Sequence, residues 1–217
     1  MARSTDRASA QWRAPFSCRG YAPGTMRRED PINTAVTSAT DSTTTSHDAE
    51  LAVRSLVHVR ELGPDDGDVV DVVFAGLSPR SRYLRFQFPV AELSAATRRS
   101  LTALDGRTHV ALAAFAQGGP IGIVRIIDLG DGRGELAVEV VDRWQGCGVG
   151  TQLLQAARDR AADMGYRELV GEMLMVNAAA QATLRRVFLV TRVRRDGSEL
   201  TITMAVDGEP APASPVE

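Results

Sequence analysis

The chain has 217 residues, of which 44% are hydrophobic, and carries a formal net charge of −2. This length suits one domain with a substantial core, and the near-neutral charge argues against nucleic acid as a partner. No apolar stretch reaches the roughly 18 residues that a membrane span needs, and no apolar signal segment is visible, so we expect a cytoplasmic protein without a membrane partner.

The composition divides the chain into three parts. Residues 1–50 are rich in Ser, Thr and Arg and show no sustained hydrophobic period, so they bury too little apolar surface to offset the entropy of ordering. Residues 207–217 contain three prolines. We therefore predict disordered tails at both ends and one folded domain over residues 51–206.

The first half of this domain is predicted to be a strand followed by helices. Alternating valines predict a strand over residues 53–60, and Pro64 with the acids after it indicates a helix start. Residues 77–89, LSPRSRYLRFQFP, are predicted to be helical, with aromatic side chains in the core and arginines in solvent. Another helix is expected over residues 92–104.

Three strands are predicted next. Residues 109–116 and 120–128 are apolar runs joined by Gln117-Gly118-Gly119, which is a hairpin signal. A further turn sequence precedes a third strand over residues 135–141. Consecutive hairpins of this kind form an antiparallel meander.

The third strand runs into the loop Gln145-Gly146-Cys147-Gly148-Val149-Gly150, and an amphipathic helix follows without a spacer. Alternate glycines let backbone N–H groups converge, and the first turn of a helix adds unpaired donors and a positive dipole end. The pattern predicts a seat for phosphate oxygens. Its spacing is neither the Gly-x-Gly-x-x-Gly of dinucleotide sites nor a P-loop, which ends in Gly-Lys-Ser/Thr.

Cysteine and histidine positions exclude two other kinds of site. Cys18 lies in the polar tail and Cys147 in the glycine loop, so we expect no disulfide between them. His47, His58 and His109 have no metal-ligand spacing, so no metal is expected.

The remaining elements complete a recognisable order. Gly165 ends the loop helix, a strand follows over residues 167–176, a helix over 178–187, and a hairpin around Asp196-Gly197 closes the domain. The order of elements over residues 53–206 resembles that of the GCN5-related N-acetyltransferases (GNAT). The resemblance implies an α/β (α+β) fold with a mixed, mostly antiparallel sheet of six or seven strands, flanked by about four helices and splayed between strands four and five.

Two motifs strengthen this resemblance. Gln145, Gly148 and Gly150 match the family's pyrophosphate loop, Gln/Arg-x-x-Gly-x-Gly/Ala. Residues 77–86, LSPRSRYLRF, resemble a segment of the bacterial Pat-type protein lysine acetyltransferases. The resemblance implies acetyl-CoA as co-substrate and no metal. It assigns these residues to acetyl-CoA binding: Val138, Glu139 and Val140 through their backbones, Gln145, Gly146, Cys147, Gly148, Val149, Gly150, Thr151 and Asn177.

The reaction that the resemblance implies is direct attack of an amine on a thioester, which needs a base to take the ammonium proton. Glu135 matches the position of that base in lysine acetyltransferases of the family, and Glu172 matches the base of some N-terminal acetyltransferase relatives. A salt-bridged structural role is the alternative for either carboxylate. Two family features are missing: Cys147 stands where Arg or Lys is common, and Leu184 stands where many members have an acid-donating Tyr.

Three functions are open at this point. The first is acetylation of lysine side chains in proteins, the second is acetylation of a small amine, and the third is a non-catalytic acyl-CoA sensor. The acceptor, the acyl-chain preference and the choice between monomer and homodimer do not follow from the sequence. All 25 basic residues are arginine, for which a base-composition bias is favoured over protection from self-modification.

Overall fold

A computed structural model describes residues 57–208 of the chain. The predicted tails, except for Asp207 and Gly208, lie outside this range, and so do residues 51–56, which include the start of the first predicted strand. The elements are β1 (His58–Glu61), α1 (Gly67–Ala75), α2 (Pro79–Phe86), α3 (Ala95–Thr102), β2 (His109–Ala116), β3 (Gly119–Gly130), β4 (Arg133–Val140), a 3₁₀ turn (Asp142–Trp144), α4 (Val149–Asp163), β5 (Glu168–Leu174), α5 (Ala178–Val187), β6 (Leu189–Asp196) and β7 (Glu199–Ala205). Within residues 57–208 no helix is long and apolar enough to cross a membrane.

Seven strands form one sheet in the order β1-β2-β3-β4-β5-β7-β6. All neighbours are antiparallel except β4 and β5, which pair in parallel only where Arg133–Glu135 meets Glu168–Val170. Both strands continue beyond that point without pairing, so a gap opens between them. The predicted fold with its splay between the fourth and fifth strands is confirmed, and this part of the chain holds five α-helices.

Two tight turns build the antiparallel meander. Gln117 and Gly118 have φ values of 52° and 79°, and Asp131 and Gly132 have φ values of 56° and 71°. Two successive residues with positive φ define the type I′ turn, whose twist matches that of paired strands. These turns therefore set β2, β3 and β4 side by side and bring β4 to the edge of the gap.

Each face of the meander packs against different helices. Val124, Ile126 and Leu136 lie in the larger core with Leu153 and Leu154 of α4. The opposite face forms a smaller core, which includes Ala111, Ala113, Ile123, Val141, Val69, Val70, Val73 and Leu101. Helices α1 and α3 thus cover one side of β2 and β3, and α4 covers the other.

Helix α2 corrects one prediction. The sequence predicts arginines in solvent and aromatic side chains in the core over residues 77–89, but Arg85 is only 3% exposed, whereas Tyr83 in α2 and Phe88 just beyond it are 44% and 57% exposed. The reason is that the side of α2 that faces the sheet meets the buried carboxylate of Glu139, so an arginine there gains an ion pair. Ser78 begins this helix, since its hydroxyl accepts a hydrogen bond from the Ser81 N–H at 3.2 Å.

Candidate active site

The gap between β4 and β5 is lined by main-chain groups of β4. The Val141 N–H donates to the Ile121 carbonyl at 2.9 Å, and bonding direction alternates along an antiparallel strand. The main-chain groups of Val138 and Val140 therefore point away from β3 into the gap. The main-chain groups of Glu139 pair instead with β3. The family resemblance assigns Glu139 to acetyl-CoA binding together with Val138 and Val140, but its main chain does not face the gap.

The glycine loop lies where β4 ends. Gly146 and Gly148 have φ values of 77° and 80°, in the left-handed region that favours glycine. Gly148 precedes α4, and no side chain caps the first-turn N–H groups of that helix. A Cβ placed on Gly146 would meet no atom within 4 Å, so the outer side of the loop is open. The arrangement has the donors and the space of an anion seat.

Gln145 fastens this loop to its surroundings. Its side-chain amide donates to the Val140 carbonyl at 2.9 Å and to the Ser81 hydroxyl at 3.3 Å. The Ser78 N–H donates in turn to Asp142 at 3.1 Å. The two motifs that carry the family resemblance, the glycine loop and the segment that forms α2, therefore contact one another.

The other predicted loop residues differ in exposure. Thr151 is buried in the first turn of α4, and Cys147 is half-buried. The Cys147 thiol is free, and its sulfur lies 3.7 Å from the Gln145 carbonyl oxygen. A thiol at this position adds no cation to the seat, so anion binding there depends on main-chain donors.

Asn177 lies just beyond the end of β5, which borders the gap on the side opposite β4. Its side-chain oxygen accepts a hydrogen bond from the Ala180 N–H at 3.3 Å and so caps α5. Its buried Nδ2 has no partner among residues 57–208, and the same is true of Nε2 of Gln152 in α4. A buried donor without an acceptor is costly, and Asn177 Nδ2, just beyond the end of β5, would gain an acceptor from a ligand in the gap.

Glu135 and Glu172 lie on the same face of the sheet. Glu135 is the last β4 residue paired with β5, where it stands opposite Val170. Glu172 follows two residues later on β5, roughly 7 Å further along the strand. Both side chains are half-buried, and both lie near the point where the pairing of β4 with β5 ends.

A buried ion cluster beside this site was not predicted. The Glu139 carboxylate bonds to both Arg85 and Arg125, and all three side chains are at most 9% exposed. Burial alone would raise the pKa of Glu139, but the charges of Arg125 and Arg85 outweigh it and hold that pKa below its usual value. The signal that could have revealed the cluster is Arg125 itself, which interrupts the apolar strand sequence IGIVRII.

Leu184 occupies the position at which many relatives carry a tyrosine. Its side chain is fully buried in the larger core, where it packs with Leu169 and Met173 of β5. The position therefore serves packing and supplies no proton. Within the described range no group of three His, Cys, Asp or Glu side chains has the arrangement of a metal site.

Comparison with known proteins gives one family and a set of similar folds. A model of the acetyltransferase (GNAT) family matches residues 80–188. Among curated proteins, none matches the chain significantly. The GNAT domain of S. lividans PAT is 26% identical with a TM-score of 0.63, and the match covers 69% of this chain and 90% of that one.

Two more distant structures share the fold. The protein yncA from Salmonella typhimurium, solved with its cofactor acetyl-CoA, is 21% identical with a TM-score of 0.54, over 73% of this chain and 99% of that one. Spermidine N-acetyltransferase from Vibrio cholerae, in complex with CoA and spermine, is 15% identical with a TM-score of 0.53, over 70% and 95% of the two chains.

Proposed function

The chain belongs to the GNAT family of acetyltransferases, and we propose that it is an N-acetyltransferase that moves the acetyl group of acetyl-CoA to lysine side chains of proteins. One observation carries the proposal. The gap between β4 and β5 has an uncapped, glycine-lined anion seat at one end, and the carboxylates Glu135 and Glu172 lie on one face of the sheet near the other end. The similarity to the GNAT domain of S. lividans PAT, together with the resemblance of residues 77–86 to Pat-type enzymes, favours a protein acceptor.

The residues of the gap suit an extended acyl-CoA. The diphosphate would lie on the N–H groups of Gly146–Thr151, and the amide-containing arm would bond to main-chain groups of Val138 and Val140. Asn177 Nδ2 would gain the acceptor that it lacks among residues 57–208. The thioester would then be directed toward the face that carries Glu135.

In the proposed reaction the lysine nitrogen bonds to the acetyl carbon, the carbon–sulfur bond breaks, and coenzyme A leaves as a thiolate. Glu135 accepts the proton that the ammonium must lose before attack. The nitrogen loses a second proton as the amide forms. Because Leu184 has no acidic hydrogen, solvent takes this proton and supplies the one that the thiolate gains. No covalent intermediate on the protein is needed, since both substrates meet in the gap.

The test combines an acceptor panel with a base variant. We expect acetyl-CoA to be consumed with lysine-containing proteins or peptides, and Glu135→Gln to lower kcat at least about 100-fold while calorimetry shows unchanged acetyl-CoA affinity. Glu168→Gln is the matched control, because Glu168 is also half-buried beside the β4–β5 pairing but lies outside the gap. The chain has no lysine, so acetyl-lysine detected by mass spectrometry comes from the acceptor alone.

Other results would select other functions. Turnover with polyamines, amino acids or aminoglycosides and none with lysine peptides would identify a small-amine acetyltransferase. Acetyl-CoA binding without turnover across the panel would identify a sensor. Full activity of Glu135→Gln together with inactive Glu172→Gln would transfer the base to Glu172.

A further inference from the structure

One row of side chains joins the candidate base to the edge of the sheet. Residues paired across neighbouring strands share a face of the sheet. Glu135 pairs with Val170, Val170 with Thr203, and Thr203 with Arg192. Arg192 on the edge strand β6 therefore lies on the same face as Glu135, three strands away.

A second row runs beside the first. Glu172 pairs with Thr201, and Thr201 pairs with Arg194. Strands are about 4.8 Å apart, so Arg194 lies roughly 10 Å from Glu172, and Arg192 lies roughly 14 Å from Glu135. Two carboxylates and two guanidinium groups thus stand at opposite ends of a floor that Val170, Thr201 and Thr203 form.

This floor is open to solvent. On β7, Leu200, Ile202 and Met204 are buried on the opposite face, whereas Thr201 and Thr203 are only half-buried. The burial of β5 alternates in the same way, and β6 is exposed along nearly its whole length. An acceptor that places its amine at the gap therefore has free access to the arginines.

Neither Arg192 nor Arg194 is neutralised by a strong ion pair within residues 57–208. Arg194 has one ion pair, to Asp196 at 4.0 Å, with side chains 75% and 82% exposed, which contributes little. Arg192 makes no ion pair within residues 57–208. An exposed guanidinium group without a strong ion pair can bind a carboxylate or phosphate through two parallel hydrogen bonds.

We propose that Arg192 and Arg194 select acceptors that carry an anionic group about 10–14 Å from the reactive amine. The proposal rests on the proposed lysine acetylation and names its substrate class: lysines flanked by Asp or Glu. An extended peptide advances about 3.3–3.6 Å per residue, so the acidic residue stands three or four positions from the lysine. Polyamines, which place a second cation at this distance, are repelled by the same pair.

The experiment uses the full-length chain and a peptide series with one lysine and a single aspartate moved through positions −5 to +5. We expect kcat/KM to be highest when the aspartate stands three or four residues from the lysine, on one side of it. At that position kcat/KM should exceed, at least about 10-fold, the value for the same peptide with arginine in place of the aspartate. The preference should weaken with added salt, because the contact is solvent-exposed. The double variant Arg192→Glu/Arg194→Glu should lose or reverse the preference with unchanged acetyl-CoA affinity.

Arg195→Glu provides the matched control. Arg195 lies next to Arg194 on the same exposed strand, but it pairs with Leu200 and so points to the opposite face. We expect this variant to keep the wild-type peptide preference. Equal loss in Arg195→Glu and in the double variant would overturn the proposal, since it would show a general charge effect.

The failure of this inference differs from the failure of the proposed function. Acetylation of all lysine peptides without regard to charge would overturn the role of Arg192 and Arg194 and leave lysine acetylation intact. No turnover with any lysine peptide, beside turnover of a small amine, would overturn both.

Discussion

At the scale of single residues, Glu139 is the only counter-charge within residues 57–208 for the two buried guanidinium groups of Arg85 and Arg125. Glu139→Gln would leave both cations in a site that water does not reach. Breaking a buried ion pair in this way costs about 3–5 kcal/mol. We expect urea unfolding to show a loss of this size, compared with less than about 0.5 kcal/mol for Glu92→Gln on the surface.

A triple variant separates the charge of this cluster from its packing. Replacing Arg85 and Arg125 with Met and Glu139 with Leu removes every charge while keeping similar volume, so we expect it to be more stable than Glu139→Gln alone. Wild-type stability in Glu139→Gln would contradict the assigned role of the carboxylate.

His109 makes a pH-dependent contribution. Burial, followed by the charge of Arg125, lowers its pKa to about 4, so the folded protein keeps a neutral imidazole where the unfolded chain binds a proton near pH 6.5. The free energy of unfolding therefore falls as pH falls from about 6.5 to about 4. The pKa of Asp66 is lowered to about 2 by its bond to Arg60, so its stabilising contribution is lost only at lower pH.

Thermal unfolding at pH 7 and pH 5 tests this contribution. We expect the melting temperature of His109→Gln to decrease less than that of the wild type over this interval. His58→Gln, at an exposed position of β1, should keep the wild-type decrease. An unchanged decrease in His109→Gln would show that another group takes up the proton.

At the scale of elements, the two ends of α4 allow a test in which backbone strain is matched. Gly146 before the helix and Gly165 after it both have φ of 77°, and a Cβ at either meets no atom within 4 Å. Alanine at either position should cost about 1 kcal/mol of stability. Only Gly146→Ala should also raise KM for acetyl-CoA, about 10-fold, because it turns loop N–H groups away from the diphosphate.

Steady-state kinetics with varied acetyl-CoA, beside the melting temperature, distinguishes the two effects. Similar melting temperatures with different KM values would support the anion seat. An equal rise of KM in Gly146→Ala and Gly165→Ala would place the diphosphate elsewhere.

Elements defined by local sequence were the predictable ones. Helix α5 has its predicted bounds, since Asn177 caps its start, and the glycine-containing turns at 117–119 and 131–134 predict both hairpins of the meander. The predictions that were wrong involve contacts between residues far apart in the sequence. Arg85 is buried because it meets a carboxylate 54 residues away, and no local period records that. The exposure of Tyr83 follows from the same contact, because the helix presents its arginine to the sheet.

The site divides in the same way. The glycine loop and the two candidate bases were identified from motifs and family resemblance, and the structure places Glu135 and Glu172 on one face. The bonds from Gln145 to Ser81 and from Ser78 to Asp142 were not predicted, since they join segments 64 residues apart. Local patterns define each part, but only the fold shows that the parts touch.

At the scale of the whole molecule, the sheet consists of two antiparallel units. Strands β1 to β4 form one unit and β5, β7 and β6 form the other, and the sheet joins them through three residue pairs only. Helix α4 packs on the first unit and α5 on the second, and the two helices contact one another. Arg158 of α4 also donates hydrogen bonds to the carbonyls of Val187 and Val206 in the second unit. A ligand that bonds to both sides of the gap therefore links the two units.

Hydrogen exchange measured by mass spectrometry tests this linkage. We expect acetyl-CoA to slow amide exchange in residues 136–141, 145–152 and 171–177, because local opening of the gap would have to break ligand bonds. Residues 110–115 in β2, which is already paired on both sides, should exchange unchanged. Gly146→Ala should require more acetyl-CoA for the same protection. Protection confined to the glycine loop would mean that the diphosphate binds there without its arm entering the gap, and the ligand would then add no link between the two units.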